Sequence, residues 1–253
     1  ETIDVRPISG NIGAEIQGID LSQEVSDQTI EEIAQAQRDH LVVFFRDQDI
    51  TPAQHISLIK RFGEILEYPL VKGLEDYPQI APVIKLAHET SNFGGIWHSD
   101  TSYMEMPPKA AMLVARELPP YGGDTLFANM YMAFDTLSEG MQTMLSGLKA
   151  VNTTAKADAS ATREDRLKTA AKLADDAVIS ATHPVVRTHP ETGKKILYVN
   201  IGHTAHFEGM TEAESAPLLK FLHNHQTKPE FTCRFAWHPG SIAFWDNRAC
   251  HHN

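Results

Sequence analysis

Short apolar runs, each closed by Gly, Pro, Asn or Asp, recur along the chain, and this spacing limits the fold more than any other feature. Leu41-Val42-Val43-Phe44-Phe45 suits a buried strand. Ile3 to Ile19 mixes Val, Ile and Gly as strands joined by tight turns, and Ala110 to Ala115 is a further strand. Tyr121-Gly122-Gly123-Asp124-Thr125 is a turn feeding Leu126 to Ala128. His183 to Val186 and Ile196 to Val199 flank His189-Pro190-Glu191-Thr192-Gly193 as a hairpin. Phe231 to Trp237 and Ile242 to Trp245, joined by Pro239-Gly240, read as another antiparallel pair, and Ile80 to Leu86 as one strand in a looped region from Tyr68 to Gly95.

Helical signals are fewer. Ser26 caps a helix carrying Ile30, Ile33 and Ala34, Thr51-Pro52 opens a second that Gly63 ends, and Thr211 with Glu214 forms a capping box for a helix to about Gln226. Met132 to Leu148 has helical periodicity, and Lys156 to Asp176 reads as a solvated helix or a lid. Many short strands with few intervening helices argue against a doubly wound parallel sheet. They favour a mainly β chain with flanking helices, a sandwich or barrel.

At 253 residues and 42% hydrophobic content the chain reads as one domain, 1–253. A net charge of -11 leaves no general footprint for nucleic acid, though a local pocket for a small anion remains compatible with it. Two cysteines and no secretory pattern at the start point to the cytoplasm. No apolar run approaches the roughly 20 residues of a membrane helix.

Trp97-His98-Ser99-Asp100 carries the chemistry. A His and an Asp two apart on an extended strand point to one side, and a distant His closes a three-ligand face of the kind non-haem iron uses, with open positions for a cosubstrate and oxygen. Zinc hydrolases also use two His and a carboxylate, but zincins place the His pair at helical spacing. The closing His is His251 or His252; on a strand the two face opposite ways, so one at most binds.

Trp97-His98-Ser99-Asp100, Pro107-Pro108, Gly122-Gly123-Asp124-Thr125, His183-Pro184-Val185-Val186-Arg187-Thr188-His189-Pro190 and Trp245-Asp246-Asn247-Arg248 together resemble the taurine dioxygenase-like family of Fe(II)/2-oxoglutarate-dependent dioxygenases. The similarity runs from about Val5 to Asn253. It implies a double-stranded β-helix, or jelly roll, with Fe(II) held by His98, Asp100 and His252, 2-oxoglutarate as cosubstrate and Thr125 bonding a cosubstrate carboxylate. It also implies a cosubstrate-binding Arg beyond Asn253, so residues 1–253 are expected to lack a C-terminal tail. Arg248 is expected to form a structural ion pair.

The His, Tyr and Asn that hold taurine in the family fall, by matching position, on Tyr68, Val71 and Gly94, so that polar set is not kept. Tyr68, Val71 and Tyr103 imply a more apolar pocket, and His203 stands where the family often has a substrate-facing side chain. The expected partners are O2 and a small organic anion, an aryloxyalkanoate or alkyl sulfate ahead of taurine or another sulfonate, with succinate and CO2 released. The alternative is a metal-binding jelly roll without turnover. Assembly as a dimer or tetramer follows from the resemblance alone.

Overall fold

A computed structural model describes residues 2–90, 92, 94–156 and 178–253. In chain order its elements are β1 (Asp4–Pro7), β2 (Ala14–Gln17), α1 (Asp27–His40), β3 (Val42–Phe45), α2 (Pro52–Lys60), β4 (Ala110–Val114), β5 (Thr125–Asn129), α3 (Met130–Asp135), α4 (Glu139–Ser146) and β6 (Lys149–Thr153). Then follow β7 (Ser180–Pro184), β8 (Val186–Thr188), β9 (Lys195–Leu197), β10 (Thr204–Phe207), α5 (Glu212–Gln226), β11 (Thr232–Phe235), β12 (Ile242–Asp246) and β13 (Cys250–His252).

One sheet runs β1-β2-β3-β12-β4, and opposite its centre lies β11-β5-β13. Alternation along the strands divides the core. Val42 and Phe44 of β3, with Ala243 and Trp245 of β12, face the second sheet, where Phe44 stacks on Phe235 at 4.0 Å and meets Phe127 edge-on at 5.5 Å. Val43, Phe45, Ile242 and Phe244 take the other face, where Ile30 and Ile33 of α1 cover them. This is the jelly roll the resemblance implied: facing sheets, antiparallel but for the parallel β2–β3 pair, with helices outside. Pairs β6–β7, β6–β10 and β8–β9 extend it, and α5 packs beside β10.

The helix starts agree with their caps. Ser26, Thr51 and Thr211 each accept a hydrogen bond from the residue three positions on, with capping boxes at Thr51 and Thr211. Ser138 supplies another cap, which divides the expected Met132–Leu148 helix into α3 and α4.

Two strand expectations fail. Ile80 to Leu86 is not a strand; Pro82 lies within it, and Val83 and Ile84 are exposed. The expected antiparallel pair around Pro239-Gly240 is instead split between sheets: β11 pairs with β5, and β12 inserts between β3 and β4. The expected segment Lys156 to Asp176 lies outside the described residues except for Lys156, whose ammonium donates to the Thr204 carbonyl. No helix among the described residues is long and apolar enough to cross a membrane.

Candidate metal centre

Two segments distant in sequence meet in a single antiparallel bridge. The His98 N–H donates to the His252 carbonyl at 3.0 Å, and the His252 N–H donates back at 2.9 Å. Directly opposed residues send their side chains to one face, and the two imidazole centroids are 4.1 Å apart. The extended backbone expected through Asp100 ends sooner, because Asp100 enters a turn with Thr101 at φ 50. A β-branched residue rarely adopts that left-handed conformation. Asn247 secures the turn: its Oδ1 accepts the Asp100 N–H at 2.7 Å, and its Nδ2 donates to the carbonyls of Asp100 (3.0 Å) and Pro108 (3.1 Å). The Ser99 hydroxyl donates to the Asn247 carbonyl at 2.7 Å.

The result is three donor atoms around one point. Asp100 Oδ1 is 3.6 Å from His98 Nε2 and 3.7 Å from His252 Nε2, and the three side chains offer atoms all within 4.8 Å of one another. Two ligands each about 2.1 Å from one ion lie about 3 Å apart at a right angle and about 4.2 Å apart in line. The carboxylate's separations from both imidazoles fall within that interval, so the donor set fits a divalent cation.

Local contacts fix the donors further. His98 Nδ1 donates to the Ile96 carbonyl at 2.7 Å, an assignment that leaves the Nε2 lone pair facing Asp100. A Cβ on Gly202 would lie 2.8 Å from His98 Cβ, so only glycine permits this approach. Nδ1 of His252 is buried without a hydrogen-bond partner among the described residues.

Charge favours a cation here as well. Burial would raise the Asp100 carboxyl, but the adjacent His252 and His98 bring it down to about 2. Burial pushes His252 down to about 3, helped by His98, leaving it a neutral donor. Burial acts the same way on His98, yet the adjacent Asp100 carboxylate outweighs it and raises that imidazole. The carboxylate thus attracts positive charge to the point all three residues share.

Register places Thr125 nearby. Phe127 is the cross-strand partner of His252, so Thr125, two residues before it, shares that face about 7 Å along the strand. Trp237 Nε1 donates to the Thr125 hydroxyl at 2.9 Å. Local sequence assigns a role to neither Asn247 nor Trp237: Asn247 lies within the Trp245-Asp246-Asn247-Arg248 motif, whereas Trp237 carries no local signal. His251 faces away from its neighbour, buried, with Nε2 lacking a partner among the described residues.

Beside the triad lies an apolar cluster of Leu70, Val71 and Tyr103, with Tyr68 and Met104 against it. Burial pushes the Tyr68 hydroxyl up to about 12 and raises that of Tyr103 as well. His203 meets Tyr103 edge-on at 4.9 Å, 6.0 Å from the His98 ring. Its Nδ1 is buried without a partner among the described residues, and burial, then His98, lowers its pKa to about 4. Asn200 holds its backbone, accepting the His203 N–H at 2.8 Å and donating to Ser102 at 3.0 Å. Tyr68, Val71, Tyr103 and His203 therefore gather on one flank of the triad. Gly94 lies against His98, its virtual Cβ 3.4 Å from the ring.

Comparison with known proteins bears on this arrangement. The family described as "Taurine catabolism dioxygenase TauD, TfdA family" matches residues 4–253. An alpha-ketoglutarate-dependent sulfate ester dioxygenase from Pseudomonas putida is 33% identical over 99% of this chain and 83% of its own. An alpha-ketoglutarate-dependent 2,4-dichlorophenoxyacetate dioxygenase from Cupriavidus pinatubonensis is 29% identical over 97% of this chain and 90% of its own. Among solved structures, a taurine dioxygenase from Burkholderia xenovorans superposes with a TM-score of 0.83 at 35% identity, covering 100% of this chain and 82% of that one. AAD-2, in complex with Mn(II) and N-oxalylglycine, superposes with a TM-score of 0.80 at 27% identity, covering 100% and 91%.

Proposed function

Since the chain belongs to the taurine catabolism dioxygenase TauD, TfdA family, we propose that it hydroxylates a small organic anion with an alkyl or aryl body, an aryloxyalkanoate or alkyl sulfate ahead of taurine. It is a 2-oxoglutarate-dependent dioxygenase, an oxidoreductase that works with Fe(II). The proposed ligands are His98, Asp100 and His252. Fe(II) bound there couples the conversion of 2-oxoglutarate and O2 into succinate and CO2 to insertion of the second oxygen atom into a substrate C–H bond.

The chain's own residues bind, orient and exclude water. Neutral His252 and ionised Asp100 present lone pairs to the cation at neutral pH. Thr125 holds a cosubstrate carboxylate by a charge-assisted hydrogen bond. Tyr68, Val71 and Tyr103 enclose the substrate's apolar body, and His203 Nδ1 supplies a polar contact for its anionic end. Where the hydroxylated carbon bears the ester or ether oxygen, the product separates into an aldehyde or ketone and the freed sulfate or phenol.

One observation carries the substrate preference: the flank beside the triad is built by Tyr68, Leu70, Val71, Tyr103 and Met104, none of which offers an anion to taurine's ammonium group. Succinate formation with Fe(II) and 2-oxoglutarate tests it. An alkyl sulfate or an aryloxyacetate should stimulate turnover at least ~10-fold more than taurine, as expected for an apolar body moved from water into an apolar pocket. Equal or greater stimulation by taurine would sink the preference. The alternative of a metal-binding jelly roll without turnover has no observation in its favour.

A further inference from the structure

The bond between Trp237 and Thr125 has a direction. An indole N–H only donates, whereas a threonine hydroxyl has one hydrogen to give and lone pairs to accept. At 2.9 Å from Trp237 Nε1, the Thr125 oxygen must be the acceptor, so its own hydrogen is committed elsewhere. Among the described residues no acceptor takes that hydrogen. A carboxylate, which only accepts when ionised, is the complementary partner.

Trp237 is itself held in place. The Arg46 guanidinium donates to the Ala236 carbonyl at 2.8 Å and to the Ser241 hydroxyl at 2.9 Å, and that hydroxyl accepts the His238 N–H at 3.0 Å. The backbone on both sides of Trp237 is therefore anchored. Its ring packs edge-on against Phe235 at 4.9 Å, and Phe235 is the cross-strand partner of Thr125.

We propose that Trp237 is a positioning residue for the cosubstrate: by donating to Thr125 it turns the Thr125 hydroxyl into an obligatory donor toward the carboxylate of 2-oxoglutarate. The inference rests on the assignment of Thr125 to that carboxylate. Removing the indole N–H frees the hydroxyl to rotate and weakens its polarisation in the donor chain. The Trp237 indole donates to Thr125 and not to a proposed metal ligand, so its effect falls on cosubstrate affinity rather than on metal content.

The test is calorimetric binding of N-oxalylglycine to full-length, Mn(II)-loaded protein as wild type, Trp237→Phe, Thr125→Val and the double variant. Thr125→Val should weaken binding about 10-fold or more, the loss of a hydrogen bond to a charged group. Trp237→Phe should weaken it about 3- to 10-fold in wild type and less than about 2-fold when Thr125 is already Val. An unchanged affinity for Trp237→Phe beside a weakened Thr125→Val overturns the proposal and leaves the Thr125 assignment standing. Additive effects overturn it too, because Trp237 would then act by another route. An unchanged Thr125→Val removes the assignment beneath it.

NMR gives an answer without replacing Trp237. The chain has three tryptophans, hence three indole N–H signals. In Zn(II)-loaded protein, the signal that Thr125→Val displaces should also move when N-oxalylglycine binds to wild type. A signal that ignores the ligand contradicts the proposal.

Discussion

Two buried histidine–carboxylate clusters flank the turn at residues 247–249, and they treat their polar atoms in opposite ways. On one side Asp246 accepts from His189 Nε2 at 2.9 Å, from the Arg248 guanidinium at 2.9 and 2.6 Å and from the Arg248 N–H at 2.9 Å. His189 Nδ1 accepts the N–H groups of Glu191 and Thr192, and Arg248 reaches Glu191 at 2.8 Å. Every donor meets an acceptor. On the other side Asp100 stands 3.6 and 3.7 Å from its two imidazoles, too far for good hydrogen bonds, and His252 Nδ1 has no partner among the described residues. Both clusters join an aspartate to histidine, but Arg248 and Glu191 complete the first, whereas the second leaves room for a third party.

Substitutions should separate the two. His252→Ala is expected to lower turnover more than ~100-fold through loss of the metal, while the urea midpoint of metal-free protein stays near that of wild type. A variant that keeps both iron and activity breaks the comparison on the site's side. Asp246→Ala should do the reverse. It strands Arg248 and His189 without their shared acceptor, which costs roughly 3–5 kcal/mol of stability, while metal bound per folded chain is unchanged. Urea denaturation and metal analysis of the folded fraction would reveal the opposite pattern if Asp246 served the metal instead.

Acid gives the smallest and most graded contrast. Burial would raise the Asp246 carboxyl, but bonds from His189 and Arg248 bring it down to about 2. Burial likewise opposes the bonds from Arg248 and Lys109 that bring Glu191 to about 2. Both folded values lie below the usual carboxylate range, so their stabilisation is complete above about pH 4 and is lost as pH falls toward 2, with Asp246 contributing about 2 kcal/mol. Urea midpoints taken from pH 5 down to pH 2.5 should fall in wild type and fall less in Asp246→Ala. Parallel slopes would remove this cluster from the acid response.

Much of this architecture is legible from local chemistry, because caps and alternation are local. Ser26, Thr51 and Thr211 mark their helices, and the unbroken run at Leu41–Phe45 marks a strand buried on both faces. Pairing is not local. Phe231–Trp237 and Ile242–Trp245 look like a hairpin, yet their partners are β5 on one side and β3 and β4 on the other. Ile80–Leu86 has the composition of a strand, yet its backbone is irregular. At the site, His98-x-Asp100 was visible as a pair, but its approach to His252 depends on one long-range bridge that nothing near His98 announces. The choice between His251 and His252 came from family spacing, and strand alternation gives its physical basis. Asn247 and Trp237 act on residues 147 and 112 positions away, beyond the reach of any local pattern.

The most direct test of the account is an anomalous-difference map at the iron edge from crystals of Fe(II)-loaded protein grown without oxygen. A single strong peak bounded by His98 Nε2, Asp100 Oδ1 and His252 Nε2, with none near Asp246, is the predicted result. Iron elsewhere, or no peak among those three atoms in protein that retains activity, would contradict the assignment of the incomplete cluster as the metal centre.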